Sequence, residues 1–494
     1  KQQKEVCNLM ITQKIESSQV INQTKDRRLR RERRIDILAE RRRLKKAMKE
    51  AKRRSMIVDF DNITVTSHGN IQLLESFKLA IGFKDLLEEC ISLQKGSNSI
   101  YSASMLLDCL TDALTLGISR FDHIEVLKND PGYLLTKGFG RFADESTFRN
   151  LFAAMDGGTL EELEVISVAL LNKRASFEGP KSVWIDIDDT IITLYGDQEN
   201  GEIGYNPKKR GRKSYRLRVA TIHSTKEVVA MELLGGNASP HGIDGFFEKI
   251  MNNLPENYVL EGIRADSGFF SEANLTWIED QEADYYVKAK KNAVIKRAIE
   301  ILNEDNCWEE LDDTYSIAEL RFPLKTWNFA RRFVFIKEKM PPKNEKQLEL
   351  FPTYKYQVIV TKSELPAVEV WREYNKRCDI ENCIKELQYG FGGDEASQKV
   401  FLKNACFAMC KVIAYNLTLW FKSALLPEEI KSCQAKTLQR KIISVPGNIV
   451  NVGGGKKRVR LAPNQWLEGV VQVIKENLKL FFTALLERAT IELI

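Results

Sequence analysis

The sequence predicts an α/β protein in which one mixed β-sheet is flanked by helical regions. This prediction rests on a change of hydrophobic period along the chain. Between residues 71 and 175 apolar side chains recur at helical spacing, and from Ser182 onward they alternate with polar ones, as in strands. Helical stretches separate the later strand-like runs, which indicates a sheet with strands in both directions.

The chain divides into six segments that differ in composition and in hydrophobic pattern. They are a basic arm at residues 1–60, a helical region at 61–180, the first part of the core at 181–300, a β insertion at 301–366, a second, helical part of the core at 367–430, and a C-terminal region at 431–494. In the last segment, KTLQRKIISV and KKRVRLA are predicted as strands on either side of a glycine turn, Gly453 to Gly455.

The composition favours carboxylate chemistry in an intracellular protein. Nine cysteines form an odd, widely spread set without a CxxC pair, which indicates reduced thiols. Only four histidines are present, so zinc hydrolysis or a histidine-activated nucleophile has few residues available. No apolar run reaches the ~18 to 20 residues of a membrane-spanning helix, so no contact with a membrane is expected.

The arm between Lys25 and Arg54 is strongly basic. It holds sixteen Lys/Arg and five Asp/Glu, whereas the whole chain has a net charge of only +6. A polyanion would relieve the repulsion between these charges. We therefore predict contact with nucleic acid, and a solvated arm is the alternative.

The first predicted strand, SVWIDID, ends in a cluster of aspartates. Strand alternation places Asp186 and Asp188 on one face and apolar residues on the other. Asp189 and Thr190 follow directly. Unpaired carboxylates are costly to bury, so a metal ion would compensate them; a solvated strand end is the alternative.

A second strand, in the run IRADSGFF, ends at Asp266. Ser267 and Gly268 then turn the chain into a helix. This geometry leaves the carboxylate at the carboxyl edge of the sheet, where open α/β sheets bind ligands.

The third candidate acid lies on a helix around Tyr374. At ~100° per residue, five polar side chains fall within an arc of roughly 80°, beside a separate apolar stripe. They are Tyr374, Arg377, Glu381, Lys385 and Gln388. Glu381 is the acid of this face.

Three elements thus each offer one carboxylate. Hard oxygen ligands of this type bind Mg²⁺ or Mn²⁺. Two such ions ~3.5 to 4 Å apart activate an attacking oxygen and stabilise a leaving oxygen at phosphorus. The predicted chemistry is therefore phosphoryl transfer.

The order of these motifs resembles that of the DDE transposases of insertion sequences. IDIDDT, GYNPKKRGRKSY, RADSGFF, YNKRCDIEN and NACFAMCKVIAYNL follow one another between about Thr64 and Ala462. The combination is similar to insertion sequence family 1380, within the family-4-related group. The resemblance implies a ribonuclease-H-like catalytic core, interrupted by a β-strand insertion and flanked by helical N- and C-terminal regions.

The resemblance also implies residue roles. The catalytic and metal-binding triad is Asp188, Asp266 and Glu381, with Asp186 as the alternative first acid. Tyr374 and Arg377 match the family's signature on the last helix and are predicted to bind DNA. Gln388 stands where the family has a lysine, and Lys385, one turn away, is the predicted substitute.

A basic loop follows the first catalytic strand. Its cations are predicted to hold DNA beside the metal ions: Lys208, Lys209, Arg210, Arg212 and Lys213. Tyr215 is predicted to stack on a base. A solvated hairpin is the alternative.

Together these features predict a transposase. The resemblance implies hydrolysis at the element ends that depends on two Mg²⁺ ions, replaceable by Mn²⁺, followed by attack of the 3′-hydroxyls on target DNA. Residues 61–180 are assigned to the terminal inverted repeats and to assembly, and a homodimer would join two ends. The alternatives are a nuclease of the same fold that does not join, and a domesticated, non-catalytic DNA-binding protein. The expected location is the cytoplasm, at the bacterial nucleoid, or the nucleus of a eukaryotic host.

Overall fold

The computed structural model describes most of the chain after residue 63. The described residues are 38–39, 41–43, 45–46, 48–49, 64–96, 99–207, 209–238, 244–341, 353–454 and 456–491, without the side chains of 488–491. Most of the basic arm, and Lys208 of the basic loop, lie outside them. The described residues between 38 and 49 are helical and exposed. Within the described ranges, no helix combines the length and apolar character needed to cross a membrane.

The unit from Thr64 to Ile494 contains both helices and strands. The α-helices cover Ile71–Ala80, Phe83–Cys90, Ala103–Thr115, Glu125–Lys128, Pro131–Lys137, Glu145–Ala154, Gly157–Ala175, Asp244–Asn253, Glu272–Asp280, Ala293–Glu304, Ala367–Asn375, Cys378–Phe391, Phe401–Leu425, Ala435–Thr437 and Gln465–Ile491. The strands are β1 Val65–Thr66, β2 Lys181–Thr193, β3 Glu202–Ile203, β4 Lys213–Ile222, β5 Val228–Gly235, β6 Tyr258–Ala265, β7 Asp284–Lys288, β8 Glu309–Glu310, β9 Tyr315–Phe322, β10 Arg331–Lys339, β11 Tyr354–Thr361, β12 Gly447–Asn451 and β13 Lys457–Leu461.

A ten-stranded mixed sheet forms the centre of this unit. β4 pairs antiparallel with β2 and with β5, whereas β6 runs parallel to β2 and β7 runs parallel to β6. The parallel connections pass through the helices Asp244–Asn253 and Glu272–Asp280, because a parallel neighbour cannot be reached by a tight turn. The predicted α/β class is confirmed, and this arrangement agrees with the ribonuclease-H-like core that the resemblance implies.

The strands predicted for the β insertion at residues 301–366 are confirmed, and they extend the same sheet. β11 pairs antiparallel with β7, and β10, β9 and β8 follow beyond it. Phe333 and Phe335 of β10 are buried on one face, with Ile263 of β6, and Val334 is buried on the other. The insertion therefore shares its core with the strands that carry the acids.

The N-terminal and C-terminal helices share one hydrophobic core. Phe77 of the first helix packs edge-on against Trp420 and Phe421 of the helix Phe401–Leu425, with ring centroids 5.5 Å apart. Ile474 of the last helix and Leu217 of β4 belong to the same cluster. These helices thus form a layer that packs against the sheet.

The prediction of a strand at KTLQRKIISV is wrong. Ala435–Thr437 is α-helical and Leu438–Ile443 forms a π-helical turn that packs against the helix Cys378–Phe391, where Gln439 Nε2 donates to Gly390 O at 3.0 Å. The apolar residues of the segment point to one side of a helical turn, which alternation alone did not reveal. KKRVRLA is confirmed as β13, which pairs with β12.

Candidate active site

Two of the three predicted acids meet at the carboxyl edge of the sheet. In the parallel pair of β2 and β6, Ile187 lies opposite Ala265. The next residue in each chain is an aspartate, Asp188 or Asp266, and neighbouring strands lie ~4.8 Å apart. Both aspartates line one cleft of about 680 Å³. Strand register therefore brings them together.

The turn after β6 holds Asp266 in place. Asp266 is the N-cap of a short 3₁₀ helix, Ser267–Phe269, and its Oδ1 accepts a hydrogen bond from Gly268 N at 2.7 Å. Capping satisfies a backbone donor and restrains the side chain at the strand end. The carboxylate is thus positioned by local structure.

Asp186, the alternative first acid, is buried in an ion-paired network. Only 1% of its surface is exposed. Its Oδ1 accepts from Arg264 Nε at 2.7 Å and its Oδ2 lies 2.8 Å from His223 Nδ1. Arg264 is itself fully buried, under the ring of Trp184. Both carboxylate oxygens of Asp186 therefore have protein partners away from the cleft.

Asp189 lines the cleft, but its charge is compensated by β4. Arg218 Nε donates to Asp189 Oδ1 at 3.0 Å, and Arg216 Nη1 donates to Asp189 Oδ2 at 3.1 Å. Of the three acids of IDIDD, Asp188 is the one that lines the cleft beside Asp266 without a pair of arginines from the sheet. Its Oδ1 accepts a hydrogen bond from Asp189 N at 2.9 Å.

The third acid follows a break in the predicted helix. Ala367–Asn375 and Cys378–Phe391 are separate helices, because the chain tightens between them into i→i−3 bonds such as Arg377 N to Tyr374 O at 3.0 Å. The prediction of one continuous helix is therefore wrong. Glu381 lies in the first turn of the second helix, which we call the acid helix, and is half exposed.

Arg377 lies at this break and links two of the acids. Its Nη1 is 3.1 Å from Asp188 Oδ2, and its Nη2 is 3.9 Å from Glu381 Oε1. The ring of Tyr374, which is 6% exposed, packs 6.0 Å from the guanidinium. Tyr374 thus supports Arg377 and offers little of its own surface to DNA.

The three acids, Asp188, Asp266 and Glu381, carry more negative charge than Arg377 balances. Burial raises the pKa of Asp188 to about 6, and the charge of Asp266 also raises it, while Arg377 opposes both. Among the described residues, the ligand oxygens of Asp188, Asp266 and Glu381 do not all lie within 4.8 Å of one another. A divalent cation would compensate the excess charge, and carboxylate oxygens are the ligands that Mg²⁺ and Mn²⁺ prefer. The donor set therefore fits the predicted metal.

Gln388 contacts β2, and Lys385 lies outside the lining of the acidic cleft. Gln388 Nε2 donates to Thr190 Oγ1 at 2.9 Å, so it ties the acid helix to β2 beside Asp188. Lys385 lines a different groove on the neighbouring face of the helix. The position of the family's lysine is thus occupied by a side chain that joins two elements of the core.

The basic loop begins at the wall of the acidic cleft. Asn206 lines the cleft, and its side chain accepts from Lys209 N at 3.0 Å. Lys209, Arg210 and Arg212 are exposed, and Lys213 Nζ pairs with Asp197 at 2.9 Å. The loop thus starts at the cleft, whereas Lys213 lies six residues along β4 from Val219, the partner of Asp188. Contact of these cations with DNA beside the acids stays a prediction.

The predicted role of Tyr215 is wrong. The residue is fully buried, its hydroxyl donates to Glu199 O at 2.5 Å, and its ring packs edge-on against Phe401. No ring face is left for a base. The exposed aromatic residue at the cleft is Tyr205, which sequence reasoning missed; it precedes an Asn-Pro turn, a signal of surface exposure.

A separate cluster of acids in the helical region is an ion-pair network. Glu75, Asp108 and Asp112 lie close enough to share a metal ion. Two lysine ammonium groups lie among them instead, with Lys78 Nζ 2.5 Å from Asp108 Oδ1 and Lys137 Nζ 2.9 Å from Glu75 Oε2. The lysines therefore already neutralise this cluster.

Comparison with known proteins identifies the family. The family described as Transposase DDE domain group 1 matches residues 48–479. The chain therefore belongs to this family of DDE transposases. The comparison with curated proteins found no match. The narrower resemblance to insertion sequence family 1380 stays a prediction.

One similar solved structure is the piggyBac transposase synaptic complex with hairpin DNA. The two chains share 12% sequence identity, and the match covers 71% of this chain and 75% of that one with a TM-score of 0.40.

Proposed function

We propose that this transposase cuts DNA at the ends of its element and joins the released 3′-hydroxyls to target DNA. The observation that carries the proposal is the parallel register of β2 and β6, which sets Asp188 beside Asp266. Arg377 supports it, because this guanidinium links Asp188 to Glu381 across the cleft edge. Three acids from three elements would then hold the ions that act on one phosphate.

Asp188, Asp266 and Glu381 would hold the divalent ions, Mg²⁺ or Mn²⁺. Bound there, two ions supply Lewis-acid activation of the attacking oxygen and charge stabilisation at the leaving oxygen. Arg377, whose planar fork suits phosphate oxygens, would orient the scissile phosphate. Lys209, Arg210 and Arg212 would hold the flanking backbone of the DNA.

Incubation of labelled element-end DNA with the full chain and Mg²⁺ tests this function. A transposase gives nicked ends and, with target DNA, joined products. Nicks without joined products would identify a nuclease of the same fold. Intact DNA that is nevertheless bound would identify a non-catalytic DNA-binding protein.

We expect Mg²⁺ or Mn²⁺ to raise the melting temperature of the DNA-free protein, because an ion that binds only the folded state stabilises it by about 2.7 kcal/mol at 100 times its Kd. The gain should be lost in Asp188→Asn and Asp266→Asn. It should also shrink as pH falls through about 6, since protonation of Asp188 competes with the ion.

Asp122→Asn is the matched control for this measurement, because Asp122 is an exposed partner of Arg120 far from the cleft in sequence. It should keep the full temperature gain. An equal gain in all four proteins would remove Asp188 and Asp266 as ligands.

The basic arm should add affinity without sequence preference. Each phosphate contact steepens the dependence of log K on log salt by ~0.9. Because residues 25–54 hold sixteen Lys/Arg, deletion of residues 1–54 should flatten the slope by several units. Binding to element ends and to random DNA, measured by salt titration of fluorescence anisotropy, should weaken by similar factors. Loss of preference for the ends with an unchanged slope would show instead that the arm reads sequence or shape.

A homodimer is the proposed assembly, since two ends must be brought together. Light scattering of the protein with and without end DNA measures it. A complex with one protein copy for two ends would contradict the proposal.

A further inference from the structure

A second groove lies beside the acid helix, on the face next to that of Glu381. Its volume is about 640 Å³. The acid helix contributes Asn382, Lys385 and Tyr389 to the wall, and the opposite wall consists of the helix Phe401–Leu425 and the segment 431–436. Asn382 directly follows Glu381, and successive residues of an α-helix point ~100° apart, so the groove and Glu381 lie on different faces of the same helix.

The acids of the groove are already paired. Asp379 Oδ2 lies 2.6 Å from Lys226 Nζ, and Glu386 Oε2 accepts from Ala435 N at 2.8 Å. Two further cations of the lining also have partners, Arg174 with Glu227 and Lys431 with Glu428. The two carboxylates of the groove are therefore already bound by groups of the protein itself.

Three other lysines of the lining, Lys385, Lys422 and Lys436, form no ion pair within the part of the chain that the structure describes. Lys422 is only 7% exposed, at the end of its helix. An ammonium group in such a place loses hydration, and a bound anion would compensate the loss. The groove thus presents an uncompensated positive charge.

An aromatic ring lies among these lysines. Tyr389 is 63% exposed, and Lys436 Nζ is 5.5 Å from its ring centroid. Exposed aromatic rings next to cations are the combination that binds single-stranded nucleic acid, because a base stacks on the ring while its phosphates contact the cations.

The segment that starts in the wall of the groove and continues beyond it is also positively charged. Residues 430–467 hold eight Lys/Arg and no Asp or Glu. They are Lys431, Lys436, Arg440, Lys441, Lys456, Lys457, Arg458 and Arg460. A polyanion complements this segment over its whole length.

We propose that this groove binds one or two unpaired nucleotides of a DNA strand, with a base on Tyr389 and phosphates at Lys385, Lys422 and Lys436. The volume lies in the range of small-ligand sites, ~300–1,000 Å³, and is too small for a duplex. Stacking on Tyr389 also requires a base whose ring face is free. The choice of DNA rests on the proposed function, but binding in the groove does not require cleavage.

The test is fluorescence anisotropy of the full chain with a labelled oligothymidylate and, separately, a duplex of random sequence. Tyr389→Ala should weaken binding of the single strand about fivefold or more, the usual loss for one stacked base. Tyr389→Phe should bind almost as the parent does. Lys422→Met, which keeps the apolar stem, should also weaken the single strand, and none of these changes should alter duplex binding by more than about twofold.

The chain offers a matched control pair on β10 and β11. Lys337 Nζ lies 4.3 Å from the ring of Tyr354, a partly exposed tyrosine–lysine pair like that of the groove. Tyr354→Ala and Lys337→Gln should leave single-strand binding unchanged. Equal losses in the control and groove variants would overturn the proposal, as would parental affinity in Tyr389→Ala and Lys422→Met, or equal losses for duplex and single strand.

Photo-cross-linking of the parent protein to an oligonucleotide with 5-iododeoxyuridine gives a second measurement that does not depend on the folding of variants. The cross-link should form at Tyr389, and a cross-link elsewhere only would overturn the proposal. Asp188→Asn should keep single-strand binding. If this variant still cleaves DNA, the proposed function fails while the result for the groove stands.

Discussion

Asp188→Asn, Asp266→Asn and Glu381→Gln should each lower DNA cleavage at least about a thousandfold. Each change removes one charged oxygen ligand, and a metal ion is worth several kcal/mol of transition-state stabilisation, with ~1.36 kcal/mol for each factor of ten in rate. Binding of element ends should persist, since the acids themselves repel phosphate. Two measurements on each variant check this: the single-turnover rate of cleavage of labelled end DNA, and a binding titration with the same DNA.

Two conservative changes elsewhere serve as controls. Asp122→Asn and Glu369→Gln alter exposed acids that pair with Arg120 and Arg372, so both variants should cleave at the parental rate. A variant of Asp188, Asp266 or Glu381 with near-parental cleavage would remove that residue from the triad.

Asp186→Ala should lower the free energy of unfolding by about 3–5 kcal/mol, because it leaves the fully buried Arg264 without its nearest charge partner and with only the more distant Glu373, at 3.9 Å. His223 would lose its contact as well. Chemical denaturation monitored by tryptophan fluorescence measures the change. Asp186→Asn should cost less, since the amide oxygen still accepts from Arg264.

This experiment also separates the two candidates for the first acid. If Asp186→Asn keeps most of its stability and cleaves DNA, whereas Asp188→Asn is stable but inactive, the triad stands as proposed. A stable Asp186→Asn protein without cleavage, beside an active Asp188→Asn, would shift the first acid by two residues.

Much of the fold could be predicted from local patterns. The helical period between residues 71 and 175, the strand alternation after Ser182 and the β insertion are all visible in the sequence, because each element has to bury one face. The positions of Asp188 and Asp266 at strand ends follow from the same alternation and from the turn at Ser267 and Gly268. Glu381 was selected by its helical face.

The sequence by itself thus determined most of the helices and strands and which acids lie at strand ends, since these depend on near neighbours; the segment 435–443 and the break before Glu381 are exceptions. Tertiary structure alone decided which acid lines the cleft beside Asp266 and which is enclosed in a buried network. Asp186 and Asp188 share a strand face, and they differ because Arg264 and His223, distant in sequence, occupy Asp186. In the same way, packing against Phe401 buries Tyr215 in the hydrophobic core. Pairing and burial are contacts between segments far apart in the chain, and hydrophobic period carries no information about them.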